Sequence, residues 1–234
     1  MQFLATMEKL VLRYYNFFLE GVRNTLIIAF FAVLLGTLLG TLMAMARMSR
    51  IKPLKWIATA YIEFFRGTPL MVQLMFIFYG LPMIGVAFPS VSFIPDFDRF
   101  AAGIVAMSLN SCAYVAEIIR AALESVPAGQ MEAGRCVGMT YLQTMRRIIL
   151  PQAMRTAFPS LSNSLISMIK DTSLAANITV TEMFMATQRI VARTYEPLAL
   201  YIEVGLIYLL FCTVLTKLQS VGEKRLNAHE YRGG

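Results

Sequence analysis

The segment of residues 132–151 reads EAGRCVGMTYLQTMRRIILP, and it is more polar than the long apolar runs on either side of it. A first short helix can end at Gly138, because glycine tolerates the left-handed conformation that terminates many helices. Thr140 then fits the N-cap of a second helix, and Gln143 three positions later would complete a capping box. Pro151 disfavours helical geometry in the residue before it, so the second helix is predicted to end there. The segment therefore predicts two short helices that meet at a sharp corner.

The composition of the whole chain indicates a membrane protein. Of its 234 residues, 57% are hydrophobic and 15% are charged, whereas roughly 25% of the residues of an ordinary soluble domain are charged. Residues 27–46 carry no charge, and about 20 apolar residues suffice to cross a bilayer core. Residues 69–88 and 197–216 are similar, the latter with one acid, Glu203. We predict an all-α polytopic membrane protein with a single domain over residues 1–234.

The apolar runs divide into five predicted transmembrane helices. The second contains Gly67, Pro69 and Pro82 and is expected to be kinked. The fourth is the most polar: it is either a soluble loop or a span that faces a cavity inside the helix bundle. Before the first span, apolar and charged residues alternate over about residues 1–20, which predicts a separate helix at the membrane surface rather than a signal peptide. The five spans are placed at about residues 24–46, 56–84, 100–123, 157–180 and 197–217.

The distribution of lysine and arginine predicts the orientation. Residues 47–55, residues 124–156 and the tail from residue 217 together hold twelve of the 21 basic residues, and the connections on the opposite side hold six. The positive-inside rule then places the N-terminus outside and the C-terminus in the cytoplasm. The loop of about residues 126–151, which contains the two short helices, is therefore cytoplasmic. Because the basic residues flank the membrane, anionic lipid accounts for them, and no nucleic acid partner is expected.

Several functions are excluded by what the sequence lacks. It contains no G-x-x-x-x-G-K-[ST] motif, so the chain has no P-loop to hold nucleotide phosphates. Its three cysteines are widely separated and have no metal-ligand spacing, and its one histidine, His229, lies in a polar tail. Neither a metal site nor histidine-based catalysis is expected, and the chain is predicted not to be an enzyme.

The loop resembles the EAA loop of ABC importer permeases, whose pattern is E-A-A-x3-G-x9-I-x-L-P. We call it the coupling loop. Only Gly134 departs from the pattern, as one small residue in place of another. Residues 64–74 and 167–184 are similar to those of polar amino acid permeases, and residues 194–208 are most similar to those of cystine permeases. The positions that carry the EAA resemblance are Glu132, Ala133, Gly134, Gly138, Ile148, Leu150 and Pro151.

The resemblance implies how the coupling loop would work. In that family the first helix of the loop docks in a groove of a separate ATP-binding subunit. Glu132 would make a polar contact there, and Ala133 and Gly134 would allow close approach. Ile148 and Leu150 would anchor the second helix at the surface of the bilayer.

The resemblance also implies partners, a location and a substrate. The partners are a dimer of ATP-binding subunits that binds ATP and Mg²⁺, a second permease chain (identical or paralogous), and an extracytoplasmic solute-binding protein. The location is the cytoplasmic, or inner, membrane of a prokaryote. The expected substrate is a polar amino acid, with L-cystine as the first candidate, and no cofactor is expected in this chain.

Charged residues inside the predicted spans mark a candidate substrate pathway, because a charge in the membrane costs about 2.5–3.5 kcal/mol on insertion scales. Arg66 and Lys170 both fall near the predicted midplane, and either could meet a substrate carboxylate, while Asp171 or Glu63 could meet an ammonium group. Alternatively, arginines neutralise glutamates three residues earlier, as in the Glu63–Arg66 and Glu117–Arg120 spacings. The residues predicted to form the pathway are Arg66, Thr68, Gln73, Asn163, Lys170, Asp171, Thr172 and Ser173.

Two other functions fit a polytopic membrane protein. A self-sufficient secondary carrier normally has paired repeats and more spans, neither of which this sequence has. A membrane anchor for a peripheral ATPase has no need of polar residues within its fourth span. A permease subunit of an ATP-driven importer accounts for both the loop and the intramembrane charges.

Overall fold

The computed structural model of the chain describes residues 2–90 and 96–227, and the regular elements of these two ranges are all helices. His229 lies outside the described residues. Short 3-10 and π-helical turns occur at Phe76–Gly80, Met145–Ile149 and Thr172–Ile178. The α-helices are α1 (Gln2–Arg47), α2 (Lys52–Gly67), α3 (Leu70–Met75), α4 (Leu81–Met83), α5 (Phe97–Glu124), α6 (Gly129–Cys136), α7 (Tyr141–Thr144), α8 (Leu150–Asp171), α9 (Met183–Thr194) and α10 (Pro197–Asn227).

Helix α1 joins two segments that the sequence predicts to be separate. Instead of a break near residue 20, the only interruption is a kink at Tyr14, where φ is −111° and ψ is 18°. The N-terminal part of α1 is fixed by packing, since Leu10 and Phe18 are buried in a cluster with Ile190 of α9 and Leu200 of α10. These tertiary contacts keep the helix continuous through its amphipathic start. Its position at the membrane surface stays a prediction.

Helices α1 and α5 pack closely and form the centre of the bundle. A Cβ atom on Gly36 would lie 2.5 Å from the Oγ atom of Ser111, and one on Gly40 would lie 2.8 Å from the Cβ atom of Val115. Small residues at such positions let two membrane helices approach closely. The buried apolar core, which includes Ile28 of α1, surrounds this contact.

The second predicted span is broken, as the sequence indicates. Lys52–Gly67 and Leu70–Met83 meet at 107°. The backbone carbonyls exposed by the break accept hydrogen bonds from side chains: the Gln73 amide donates to the carbonyl oxygens of Phe65 and Thr68 at 2.9 and 3.0 Å. Asn110 of α5 donates to the Phe65 carbonyl oxygen at 3.3 Å and holds the Gln73 amide in place by donating to its Oε1 atom at 2.9 Å. Because the freed polar groups have partners inside the protein, the break is tolerated at membrane depth.

The sequence predicts that the second helix of the coupling loop ends before Pro151, and this prediction is wrong. Helix α7 continues through the π-helical turn Met145–Ile149 into α8, and Pro151 occupies the first turn of α8. A proline has no N–H to donate and its ring collides with a helical carbonyl, and a π turn widens the helix at that point. The loop is thus joined rigidly to α8.

Three described helices are long and apolar enough to cross a membrane, and the broken pair makes up to four. The three are α1, α5 and α10. Helix α8, the fourth predicted span, is too polar to be counted among them. It nevertheless packs against α1, α5 and α10. A polar helix enclosed by apolar ones can lie inside a membrane bundle.

Candidate functional site

The corner of the coupling loop has the geometry that its sequence predicts. Gly138 has a φ of +79°, and its N–H donates to the Arg135 carbonyl at 2.9 Å, while the Met139 N–H donates to the Gly134 carbonyl at 2.9 Å. This pair of bonds is a Schellman motif, which closes α6. The predicted capping box is present as well and begins α7 at Thr140.

Gly134 was expected to lie on the surface that an ATP-binding subunit approaches, but it lies inside the loop. It is buried, and a Cβ atom there would lie 2.6 Å from the Oγ1 and Cγ2 atoms of Thr144 on α7. Its small size therefore lets the two helices of the loop pack against each other, and it does not face an external partner. Glu132 and Ala133 are exposed on the outer side.

The exposed residues of the loop include one acid and several large apolar side chains. Glu132 is exposed, and Val137 and Leu142 are 75% and 72% exposed. Near the start of α8, Leu150 and Pro151 are exposed. Large exposed apolar side chains outside the long apolar helices are typical of a protein–protein contact. Ile148, by comparison, is half-buried.

A second candidate site is a cavity of about 690 Å³ between the broken second span, α5 and α8. Its walls are mostly polar, which is unusual for the interior of a membrane bundle. Asn110, near the middle of the 28-residue helix α5, is one of the lining residues, so the cavity lies near the predicted midplane. Its polar lining residues are Arg66, Thr68, Asn110, Ser111, Tyr114, Ser160, Asn163, Ser164, Ser167 and Asp171.

Four of the eight residues predicted for the substrate pathway line this cavity: Arg66, Thr68, Asn163 and Asp171. On α8, Asn163 and Asp171 share one face with Ser160, Ser164 and Ser167, because residues three and four apart are neighbours on a helix. The cavity is therefore assembled from one polar face of α8, the broken end of α2 and part of α5.

The other four lie elsewhere. The Gln73 amide donates to the backbone carbonyl groups of Phe65 and Thr68 at the helix break. Lys170 is exposed and does not line the cavity, because it is rotated by about 100° from Asp171 around the helix. Thr172 is fully buried and donates to the Ile169 carbonyl at 2.8 Å, and Ser173 donates to the Lys170 carbonyl at 2.7 Å.

Arg66 pairs with a residue on another helix. Its Nη1 atom lies 3.7 Å from the Oε2 atom of Glu117 on α5, and its guanidinium lies 5.8 Å from the ring centroid of Tyr114. The Glu63–Arg66 pairing that the sequence allows is not among the ion pairs of the described residues. The Glu117–Arg120 pairing is present, at 2.6 Å.

Sequence reasoning missed the contribution of α5 to the cavity. Asn110, Ser111 and Tyr114 line it. The available signal was the run of polar residues Ser108, Asn110 and Ser111 in the middle of the predicted span. In a membrane helix, such residues are placed toward the protein interior.

Comparison with known proteins identifies the family. Residues 36–228 match the binding-protein-dependent transport system inner membrane component family. The chain is 44% identical over 210 residues to the L-cystine transport system permease protein TcyB of Bacillus subtilis (strain 168), covering 89% of this chain and 86% of TcyB. It is 36% identical to the arginine transport system permease protein ArtQ of the same organism, over 92% of this chain and 94% of ArtQ.

Solved structures agree with this. A crystal structure of an amino acid ABC transporter with histidines matches with a TM-score of 0.83 and 39% identity, covering 92% of this chain and 96% of that one. The MetNI methionine ABC transporter in inward-facing conformations shares the fold at 19% identity, with a TM-score of 0.66 over 94% of this chain and 98% of that one.

The chain belongs to this family and has the ABC permease fold. It is a permease subunit of an ABC amino acid importer in the bacterial inner membrane. The sequence left three possible functions: an importer subunit, a self-sufficient carrier and a membrane anchor. Membership of this family favours the importer subunit.

Proposed function

We propose that the 690 Å³ cavity is where this permease holds its amino acid during import, and that the preferred substrate is L-cystine. The observation that carries the proposal is that the cavity presents a guanidinium, that of Arg66, and a carboxylate, that of Asp171, on two different helices. A zwitterionic amino acid has the complementary pair of charges. The serine hydroxyls and the Asn163 amide between them can bond its main-chain atoms.

Cystine fits the size and lining of this cavity. Its two amino acid groups are joined by a disulfide, and a polar cavity of about 690 Å³ is in the usual range for small-molecule sites. Two relatives support this choice, since TcyB and TcyL are both named as L-cystine transport system permease proteins. Other relatives are named for arginine, nopaline and octopine transport, so an amino acid with another side chain is the competing substrate.

We assign ATP binding and hydrolysis to a separate subunit. The exposed residues of the coupling loop, among them Glu132, Val137 and Leu142, offer a polar contact and apolar area for that subunit to bury. Two such subunits, carrying ATP and Mg²⁺, would serve two permease chains, identical or paralogous. A solute-binding protein would deliver the amino acid from outside.

The substrate assignment is tested by uptake into vesicles that contain the complete importer and its binding protein. Uptake of radiolabelled L-cystine is expected, and unlabelled cystine should compete better than arginine, glutamine or histidine. Vesicles without ATP provide the control. Stronger competition by another amino acid would replace cystine with that substrate, and the absence of ATP-dependent uptake of any of them would refute the assignment of the cavity.

We further propose that α8 and the following 3-10 turn form a fifth span. Ala153 and Ala157 pack against Ala122 near the cytoplasmic end of α5, while Asn24 of α1 donates to the Thr181 carbonyl at 2.7 Å. Asn24 lies 23 residues before the end of α1, about 35 Å away at 1.5 Å per residue. That length exceeds the roughly 30 Å of a hydrocarbon core. The chain from α8 to Thr181 therefore runs the depth of the bundle.

The orientation is tested by cysteine labelling in whole cells. In a variant without the three native cysteines, a membrane-impermeant thiol reagent is expected to label a cysteine at Ser90 and not one at Ser220. Both positions are exposed in the structure. After the cells are opened, both should be labelled, which confirms that each site can react. The reverse pattern in intact cells would place the coupling loop outside and overturn the orientation.

A further inference from the structure

We propose that Glu117 and the carboxylate of the bound substrate compete for Arg66. Binding of the amino acid would then release α2 from an ionic cluster that ties α1, α2 and α5 together. This inference rests on the proposed function, because it takes the 690 Å³ cavity as the substrate site. It adds Glu117 as the residue that positions Arg66 when the cavity is empty.

The cluster is centred on the Glu117 carboxylate. Its Oε2 atom lies 2.6 Å from the Nη1 atom of Arg47, at the end of α1. Its Oε1 atom lies 2.6 Å from the Nη2 atom of Arg120, one helical turn further along α5. Arg66 of α2 approaches the same Oε2 atom at 3.7 Å. One carboxylate thus holds three guanidinium groups from three helices.

Arg66 is the most weakly held member. Its contact with Glu117 is the longest of the three, and its side chain is 41% exposed, compared with 18% for Arg47 and 25% for Arg120. It also lines the cavity, which the other two arginines do not. A partly exposed ion pair contributes only about 0–1 kcal/mol. Arg66 can therefore leave Glu117 at little cost while Arg47 and Arg120 remain bound.

The charge balance of the cluster favours an additional anion. Arg120 has a second partner, Glu124, so that three guanidinium groups face two carboxylates. These five side chains carry one unbalanced positive charge, and an unbalanced charge that is partly withdrawn from water is unfavourable. A substrate carboxylate at Arg66 would neutralise it. The cavity is thus prepared for an anionic group at that end.

The cluster lies between the substrate cavity and the part of the protein that leads to the coupling loop. On its other side is a second cavity of about 430 Å³. Arg47 and Arg120 line that cavity together with Lys55 and Glu124. Glu117 therefore lies between the substrate cavity and a pocket at the proposed cytoplasmic end. Helix α5 ends at Glu124, and the coupling loop follows directly, so a change at Glu117 acts on the helix that leads into the loop.

The test measures binding of radiolabelled L-cystine, and of competing polar amino acids, to the purified importer in nanodiscs without its binding protein. Glu117→Gln keeps the shape of the side chain and removes the competing charge. It is expected to bind the amino acid about three- to fivefold more tightly, which corresponds to about 0.7–1 kcal/mol. A residue with only a structural role would not tighten binding when it is replaced.

Glu124→Gln is the matched control. It removes the same charge from the same arginine, Arg120, but Glu124 makes no ion pair with Arg66 among those of the described residues. Its binding is expected to stay within about twofold of the wild type, so a general change in electrostatic potential would be recognised. Glu117→Asp provides a second variant in case Glu117→Gln does not fold. The shorter acid draws back from Arg66 and should tighten binding by about twofold.

The outcomes separate this inference from the proposed function. Unchanged or weaker binding in the folded Glu117 variants would overturn the competition. So would equal tightening by Glu124→Gln, since a general charge effect would then explain the result. Arg66→Gln tests the cavity itself and is expected to lose binding. If it binds like the wild type, or if the wild type binds no amino acid, the cavity assignment fails and the competition fails with it.

Discussion

Glu132→Arg and Gly138→Val are each expected to abolish substrate-stimulated ATP hydrolysis by the assembled importer while the permease still inserts into the membrane. Glu132 is exposed on the outer side of α6, where reversal of its charge acts directly on a docked partner. Gly138 has a φ of +79°, a conformation that is strongly unfavourable for a β-branched residue. Valine there would open the corner between α6 and α7. The measurement is ATPase activity in nanodiscs with and without loaded binding protein.

The chain offers a matched control for the glycine substitution. Gly129 begins the same helix and has an ordinary φ, and a Cβ atom added to it would meet no other atom within 4 Å. Gly129→Val is expected to keep most of the stimulation. Glu132→Gln keeps the size of the side chain and should have a smaller effect than Glu132→Arg. Wild-type stimulation in both Glu132→Arg and Gly138→Val would contradict the assignment of this loop as the ATPase contact.

Asp171→Asn is expected to reduce amino acid uptake by about tenfold or more, equivalent to about 1.4 kcal/mol. The Asp171 carboxylate lines the cavity from α8, whereas Arg66 lines it from α2. An amide of the same shape cannot offer a charge to an α-ammonium group, so the substrate loses one of its two ionic contacts. Basal ATP hydrolysis should be retained, because Asp171 lies at the opposite end of α8 from the coupling loop. Initial uptake rates into vesicles, normalised to the amount of assembled complex, measure the effect.

The adjacent residue provides the control for this substitution. Lys170 belongs to the same turn of α8 but is exposed away from the cavity. Lys170→Gln should therefore keep most of the uptake, although it also changes one charge. Normal transport by Asp171→Asn would make the Asp171 carboxylate a structural group. A large loss in Lys170→Gln together with normal Asp171→Asn would place the substrate on the other face of α8.

The broken second span shows how the fold supplies both a cavity and a movable charge. The Gln73 and Asn110 side-chain amides donate to the backbone carbonyl groups at the break, so α2 can end in the middle of the bundle. Arg66 is the next-to-last residue of α2, beside that break. At this position the Arg66 side chain is 41% exposed and lines the cavity while its Nη1 atom lies 3.7 Å from Glu117. The same break thus exposes Arg66 to the cavity and leaves it within reach of Glu117.

The sequence by itself determined the features that depend on neighbours a few residues away or on overall composition. The apolar runs indicated a membrane protein, and the EAA spacing indicated its family. The Gly138 corner and the capping box that starts at Thr140 follow from local hydrogen bonds, and the structure has both. Gly67 and Pro69 likewise marked the break in the second span. These features depend on the conformational preferences of single residues and on hydrogen bonds between residues a few positions apart, so the local sequence is enough to predict them.

Only the tertiary structure decided which side chains meet. Arg47 and Glu117 are 70 residues apart in the chain, and no local pattern pairs them. The helical period groups residues of α8 into faces, but which face borders the cavity depends on how α8 packs against α5, and this placed Asp171 inside and Lys170 outside. Gly134 was buried by its contact with Thr144, a consequence of how the loop closes. These placements are set by packing between distant segments, and for that reason they could not be read from the sequence.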